Sequence, residues 1–481
     1  MLDYIKFNLG QEPMNIEFTN TYAALGDAFS ESINPTSAVD PKLILFNDEL
    51  ATLLGIDFPK KSELADVFSG KTILEKSRPL AMAYAGHQFG HFVPQLGDGR
   101  AVLLGEVLTS DKKRYDIQLK GAGQTRFSRR GDGRSSLGPV IREYIVSEAM
   151  HALGVPSTRA LAAVTTGETV YREEALPGGT FTRVASSHLR VGTFEYFSYR
   201  QDHENLKILA DYAIERHHPE LSNEYFEFFK AVAHKKLSLV GKWMGLGFIH
   251  SVMNTDNTSI AGETIDFGPC AFMDIFSHDK VFSSIDQYGR YAYKNQGNIA
   301  LWNLSCLATC LVPLLGLSQK EAQEKFKPVF DDLTEYFMKT WREVMAKKLG
   351  IFKPTPQDQD LINQFLKYME EENLDFTNSF RELPEKLNNH EDIYQQIKKR
   401  LEDQPESLEQ AISLMDSANP YIIPRNHQVE SAISMGNKGD FSHFKKMVDA
   451  FKKPYQKDLK YKDFTNPPKP HEIVHQTFCG T

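Results

Sequence analysis

The sequence predicts an α+β fold in two lobes, β-rich first and mostly helical second, with an extension at each end. Three observations predict it. Segments between residues 80 and 120 alternate as strands do, a proline-started and glycine-ended helix follows, and from about 280 onward the pattern is helical. At 481 residues the chain can bury large cores and form more than one structural unit. The expected divisions are an N-terminal extension over 1–75, a β-rich lobe over 76–185, a helical lobe over 186–345 and a helical extension over 346–481.

Residues 1 to about 75 mix short periodic segments with turn signals such as Asn34-Pro35-Thr36. Residues 101–108, AVLLGEVL, read as a strand, and 116–120, DIQLK, alternate as the next, across the charged turn 110–113. In the second strand Ile117 and Leu119 face one way, Gln118 and Lys120 the other. Residues 121–138 then carry five glycines and four arginines, Arg126, Arg129, Arg130 and Arg134. Pro139 fits the first turn of the next helix, Gly154 its C-terminal cap, and Pro156 lies just past its end. Helices continue over 200–247. Thr258-Ser259-Ile260 and Thr264-Ile265-Asp266 flank Ala261-Gly262-Glu263 as a small hairpin would. Residues 350–410 are acidic and polar, with breaks at Pro354, Pro356 and Pro384. The stretch 452–470, rich in Lys and Pro, is expected to run extended over the surface.

Composition narrows the function classes. Apolar residues are 41% and charged residues 25%, ordinary for a soluble globular protein. The formal charge of −8 argues against a general nucleic-acid binder. The most apolar stretch, 301–317, is interrupted by Asn303, Ser305 and Thr309 and reads as a buried helix rather than a membrane span. The first 13 residues have neither the cationic start and apolar block of a signal peptide nor the Arg-rich character of a transit peptide. A cytoplasmic location is therefore expected, with no nucleic-acid and no membrane partner. Four cysteines in this length make no disulfide scaffold. Cys306 and Cys310 share one face of an apolar helix, where core packing is the simpler reading.

The chemistry concentrates in His250-Ser251-Val252-Met253-Asn254-Thr255-Asp256-Asn257, followed nine residues later by Asp266-Phe267-Gly268. A protein kinase catalytic loop reads H-R-D-x-x-x-x-N, and its D-F-G follows to bind magnesium. Aligned on the histidines, Asn257 takes the place of the metal-binding Asn, but Val252 takes the place of the catalytic Asp. Asn257 and Asp266 are hard oxygen ligands of the kind magnesium takes alongside phosphate oxygens. Asp256, next to Asn257, can deprotonate an acceptor hydroxyl if the substrate geometry is shifted, or it can simply stabilise the turn. The order of elements, with a lysine strand, a helix and then this loop, is that of a two-lobed protein kinase.

Other candidates are weaker alone. Gly97-Asp98-Gly99-Arg100 precedes a strand and can bring backbone N–H groups to phosphate, although a plain β-turn has the same composition. Lys120 can pair with a carboxylate of the next helix, Glu143 or its rival Glu148, as kinases do to aim an ammonium at phosphates. The Gly/Arg segment suits polyphosphate, since guanidinium forks match phosphate oxygens, and Asp132-Gly133 can turn it over a nucleotide. Arg183 and Arg190 are further candidates, although either one alone reads more simply as a surface arginine. His87 and His91 have an H-x3-H spacing, but no Glu follows His87 and Gly90 breaks the helix, so zinc is not expected.

Taken together these residues resemble the selenoprotein O family of kinase-like proteins. The resemblance spans most of the chain and is densest over 80–275. It rests on Tyr84-Ala85-Gly86-His87-Gln88-Phe89-Gly90, on Gln95-Leu96-Gly97-Asp98-Gly99-Arg100-Ala101, on Gln118-Leu119-Lys120-Gly121-Ala122-Gly123, and on Met253 to Asn257 with Asp266-Phe267-Gly268-Pro269-Cys270. It implies a two-lobed protein-kinase-like fold that binds ATP inverted and transfers AMP to Ser, Thr or Tyr hydroxyls of protein substrates. It implies nucleotide-binding roles for Gly97, Gly99, Arg100, Lys120, Asp132, Gly133, Arg183, Arg190 and Asp266. Asn257 and Asp266 would hold Mg²⁺ or Mn²⁺, Asp256 would be the proton acceptor, and Glu143 would pair with Lys120. Some members carry selenocysteine close to the C-terminus, where this chain has Cys479. Cys270 and Cys479 are a possible redox pair tethering the tail. Two other readings stay open: a protein kinase with a displaced base, and an inactive ATP-binding scaffold.

Overall fold

The computed structural model describes residues 16–57 and 61–478. They form two compact units interleaved along the chain. The first takes the described residues to Met82, then Asp98–Ser136 and Ala160–Ser186; the second takes Ala83–Gly97, Leu137–Arg159 and everything from Ser187 onward. The molecule is mixed α and β, the large sheet lying in the first unit and the long helices in the second.

In chain order the strands are β1 (Ser30–Ser32), β2 (Lys42–Phe46), β3 (Leu80–Met82), the hairpin β4 (Gly86–Gln88) and β5 (His91–Val93), β6 (Ala101–Leu108), β7 (Arg114–Lys120), β8 (Ser135–Ser136), β9 (Arg159–Tyr171) and β10 (Ala175–Ala185). The sheet of the first unit runs β1-β3-β6-β7-β10-β9-β2, with β8 attached to β10. β6 and β7 fall where alternation puts them. Ile117 and Leu119 enter a core with Val102, Leu104, Val164 and Val184, joined by Leu50 of helix α1 (Asp48–Leu53) and Phe68 of α2 (Leu64–Phe68). At 25 cal/mol per Å², burial of side chains of this size contributes about 1.5–3 kcal/mol each. The opposite face of β7 is also buried, but by polar groups, and these belong to the candidate site.

The second unit begins its helices with α3 (Leu137–Ala152), whose first turn holds Pro139 and whose end is capped by Gly154 at φ +77°. Next come α4 (Val191–Tyr199), α5 (His203–His217), α6 (Tyr225–Gly245), α7 (Gln296–Leu311) and α8 (Gln319–Lys348). Strand β11 (Phe248–Ile249) pairs antiparallel with β12 (Ala271–Phe272), and the loop between them carries residues 250–270. The small hairpin expected over 258–266 does not form. Its two arms bond elsewhere: Val191 N donates to Thr258 O (2.9 Å) and Ile260 N to Leu189 O (3.0 Å), while Thr264 N donates to Pro156 O (2.9 Å).

The helical run Tyr293–Leu315 is long and apolar enough to cross a membrane by length and composition. Two of its amide side chains are hydrogen-bonded into the 248–258 segment. Asn303 Nδ2 donates to Met253 O (3.0 Å) and Thr258 Oγ1 (2.9 Å), and Gln296 Nε2 donates to Phe248 O (3.0 Å). Pro384, expected as a break, sits in the first turn of the short helix Leu383–Lys386, where its missing N–H costs nothing. The stretch 452–470 is not extended throughout. A 3₁₀ run, Leu459–Thr465, buries Tyr461 and Phe464, the latter 5.7 Å from the Phe451 ring.

Candidate active site

In the first unit, the polar face of β7 is a hydrogen-bonded row. Gln118 faces Leu103 on β6 and Arg183 on β10. Arg183 Nη2 donates to Gln118 Oε1 (2.6 Å), and Gln118 Nε2 donates to Asp98 Oδ2 (3.0 Å). Asp98 also accepts from Met82 N (3.1 Å), which fixes the start of the 97–100 turn. Lys120 ends the same face and is buried, 9% exposed.

The Gly/Arg segment is folded back on itself. Ala122 pairs with Arg134, and Gly123 N donates to Gly133 O (3.0 Å). A Cβ at Gly133 would lie 2.1 Å from the Gly123 backbone, and φ is +67°, so only glycine fits. Asp132 takes two bonds from Arg172, 2.8 and 3.0 Å, and one from Arg134 N (2.9 Å); the Arg172 bond lowers its pKa most. Arg134 is bound to Thr36 O (3.0 Å), Ser37 O (3.1 Å) and Glu168 (2.6 Å), so of the four arginines it is one that staples the loop. Arg129 and Arg130 stand at φ +46° and +73°, a backbone region that non-glycine residues rarely occupy.

In the second unit, the loop after β11 brings four of the candidates together. Asn254 begins a 3₁₀ turn, Thr255–Asn257, closed by Asn257 N donating to Asn254 O (3.0 Å). Asn257 Nδ2 donates to Val252 O (3.2 Å), leaving its Oδ1 as the ligand atom of that amide. Asp266 stands at φ +64°. Arg190, at the start of α4, binds both halves of the cluster. Its Nη1 donates to Asp256 O (2.8 Å) and lies 3.4 Å from Asp266 Oδ2, while its guanidinium covers the Tyr84 ring at 4.5 Å. Arg190, which the sequence alone also allowed to be a surface arginine, is 3% exposed and bonded to the loop.

Asp256 is buried, and burial raises its carboxyl to about 7, against the opposing pull of Arg190 and the Gln88 bond. Gln88 Nε2 donates to its Oδ2 (3.2 Å), and Oδ1 is buried without a protein partner. His250 Nε2 meets Ile265 O at 2.9 Å, and burial lowers its pKa to about 4, so it acts as a neutral strut. Val252 is 7% exposed and packs as an apolar residue. Asn257 and Asp266 are half-buried, and an amide oxygen and a carboxylate are donor types that fit a hard divalent cation.

A family model described as protein adenylyltransferase SelO matches residues 12–452. The chain belongs to the SelO family. A protein nucleotidyltransferase YdiU of Maridesulfovibrio salexigens is 51% identical over 96% of this chain and 98% of its own length. Proteins of the same description from Bradyrhizobium diazoefficiens and Nitrosococcus oceani are 47% and 48% identical, each over at least 96% of both chains.

On α3 of this SelO-family chain, Glu143 is 2% exposed, whereas its rival Glu148 is taken by Arg159 through two bonds of 2.8 Å. His87 and His91 do not form a pair. Gln88 faces His91 across the hairpin, and His87 Nδ1 meets Glu195 Oε1 at 2.6 Å. Cys310 is buried as core packing requires, while Cys306 is half-buried and hydrogen-bonded to Glu195. Cys270 is buried, its Sγ donating to Phe267 O (3.2 Å); its suggested partner Cys479 lies outside the described residues. Sequence reasoning missed Gln88, Glu195 and Gln118. The first two belong to no kinase motif, although Gln88 lies inside the 84–90 stretch that carries the family resemblance.

Proposed function

We infer that this chain is a protein adenylyltransferase, transferring AMP from ATP to Ser, Thr or Tyr hydroxyls of protein substrates within a two-lobed protein-kinase-like fold. The observation that carries the reading is the pairing of a buried apolar Val252 with a buried carboxylate, Asp256, four residues on and tied through Arg190 to Asp266. In the kinase arrangement the position of Val252 holds the base, and an isopropyl group cannot take a proton, so the proton must go elsewhere. Asp256, raised to about 7, is suited to take it near neutral pH.

In the proposed step the acceptor oxygen bonds to the α-phosphorus, the bond from that phosphorus to the α–β bridging oxygen breaks, pyrophosphate leaves, and the hydroxyl proton passes to Asp256. Asn257 and Asp266 are proposed to hold Mg²⁺ or Mn²⁺, which when bound offsets negative charge on phosphate oxygens. The family resemblance assigns nucleotide contacts to Gly97, Gly99, Arg100, Lys120, Asp132, Gly133, Arg183 and Arg190. The buried Gln118–Arg183 pair supports a fixed guanidinium, and the Asp132–Arg172 pair supports a preformed loop. Glu143 rather than Glu148 is proposed as the Lys120 partner, because Glu148 is already neutralised by Arg159. Such transfers depend mostly on positioning and electrostatics.

ATP labelled at the α- or the γ-phosphorus tests the reading. Label on protein from α alone, abolished in Asp266→Ala, is the expected result. Label from γ alone would make the chain a kinase, and nucleotide binding without label from either would make it a scaffold.

A further inference from the structure

The hairpin β4–β5 carries most of the 84–90 stretch of the family resemblance, yet the proposed chemistry uses none of it. It lies on the catalytic turn, residue against residue. His87 N donates to Thr255 Oγ1 (2.6 Å), Gln88 Nε2 to Asp256 Oδ2 (3.2 Å), and Phe89 N to Asn254 Oδ1 (3.1 Å). Three consecutive hairpin residues thus hold the three consecutive residues that begin the turn.

We propose that this hairpin is the positioning device of the catalytic turn, with Gln88 orienting the Asp256 carboxylate and the His87–Glu195 pair holding Thr255 beneath it. The turn's own bond, Asn257 N to Asn254 O, fixes backbone but leaves the carboxylate free to rotate. Gln88 is the side chain that donates to that carboxylate, and it binds one oxygen only. The other, Oδ1, faces Gly86, where a Cβ would intrude to 2.6 Å. Glycine at 86 therefore lets the hairpin lie against the carboxylate while Oδ1 keeps its lone pairs for a proton.

The second hold runs through Thr255. Its Oγ1 donates to Glu195 Oε2, and Glu195 Oε1 meets His87 Nδ1 at 2.6 Å. Glu195 is 4% exposed on α4, and the His87 ring is wedged between Phe92 (4.9 Å) and Trp302 (5.1 Å), so neither partner can swing away without leaving a cavity. The tip of the hairpin is strained at Phe89, φ +49°, and held there by the Phe89–Tyr291 ring contact at 5.0 Å, Tyr291 OH also donating to Asn254 Oδ1 (2.6 Å). Strain kept in place by surrounding contacts is a mark of a functional element.

This inference rests on Asp256 being the base, and the test separates the two. Gln88→Ala is made in the wild-type chain and in Asp256→Asn, and each protein is assayed for AMP transfer, ATP affinity and melting temperature. In the wild-type background kcat should fall about 10- to 100-fold with ATP affinity unchanged, as expected for a misplaced catalytic group. In the Asp256→Asn background the same substitution should cost nothing further, and Gln88→Asn should restore part of the loss in the wild type. Glu195→Gln, which keeps the shape but not the charge, should lower kcat without changing ATP affinity. Unchanged kcat in Gln88→Ala, or an equal loss in both backgrounds, would overturn the positioning role while leaving the transferase reading intact. Full transfer by Asp256→Asn alone would remove the base assignment, and the positioning role with it.

Discussion

Lys236 shows how single residues in this fold are set by burial. It is 2% exposed on α6, its Nζ lies 4.6 Å from the Trp243 ring, and burial lowers its pKa from 10.5 to about 7. Between those values the unfolded chain binds more protons than the folded one, so stability rises with pH across that window, and below about 7 the full penalty applies. Lys236→Met should therefore stabilise the chain at pH 6 by about 1–4 kcal/mol, the gain shrinking as pH rises above 7. Chemical denaturation at several pH values checks it, and a loss of stability at pH 6 would contradict it. No sequence pattern marks Lys236: Trp243 lies on the same helix, but His250, on which its charge also acts, comes close only on folding. Asn257 and Asp266 were legible as candidates for the opposite reason: the role proposed for them rests on local spacing in one loop. Asp256 was legible as a candidate, but its burial and the Gln88 bond join residues 168 positions apart in sequence.

At the scale of elements, the Gly/Arg loop is a closed structure rather than a flexible one. Gly133→Ala should destabilise the first unit by more than about 1 kcal/mol, since the added methyl meets the Gly123 backbone and φ is positive. Thermal unfolding with and without ATP would measure this, and a wild-type melting temperature would show that the loop is not built as described. Strands β6 and β7 and both ends of α3 were legible because alternation, Pro139 and Gly154 act locally. The 258–266 hairpin was not. Its residues carry strand propensity, but their partners, 189–191 and 156–158, are remote in sequence and outcompete each arm for the other. Likewise, Arg134 and Asp132 had the composition of a phosphate loop, and only folding shows Glu168 and Arg172 beside them.

For the whole molecule, a buried charge helps to hold the C-terminal part of the second unit together. Arg425 is 1% exposed; its Nη1 donates to Asp274 Oδ1 (2.5 Å) and Asp375 Oδ2 (2.8 Å), and its Nη2 to Asp375 Oδ1 (3.0 Å) and Thr465 O (3.2 Å). It ties the segment just after the Asp266-Phe267-Gly268 loop to the helix at 376–381 and to the 3₁₀ run near the C-terminus. Arg425→Ala would leave two half-buried carboxylates without their cation and should cost up to about 3–5 kcal/mol in denaturant unfolding; a cost below about 1 kcal/mol would show the hub to be solvated. The most direct measurement of the central claim is single-turnover transfer of α-labelled AMP by the wild-type chain and by Asp256→Asn, with ATP affinity measured alongside. A loss of about 100- to 10,000-fold in transfer, with ATP still bound as tightly, is the predicted result. Transfer at the wild-type rate by the variant would contradict it.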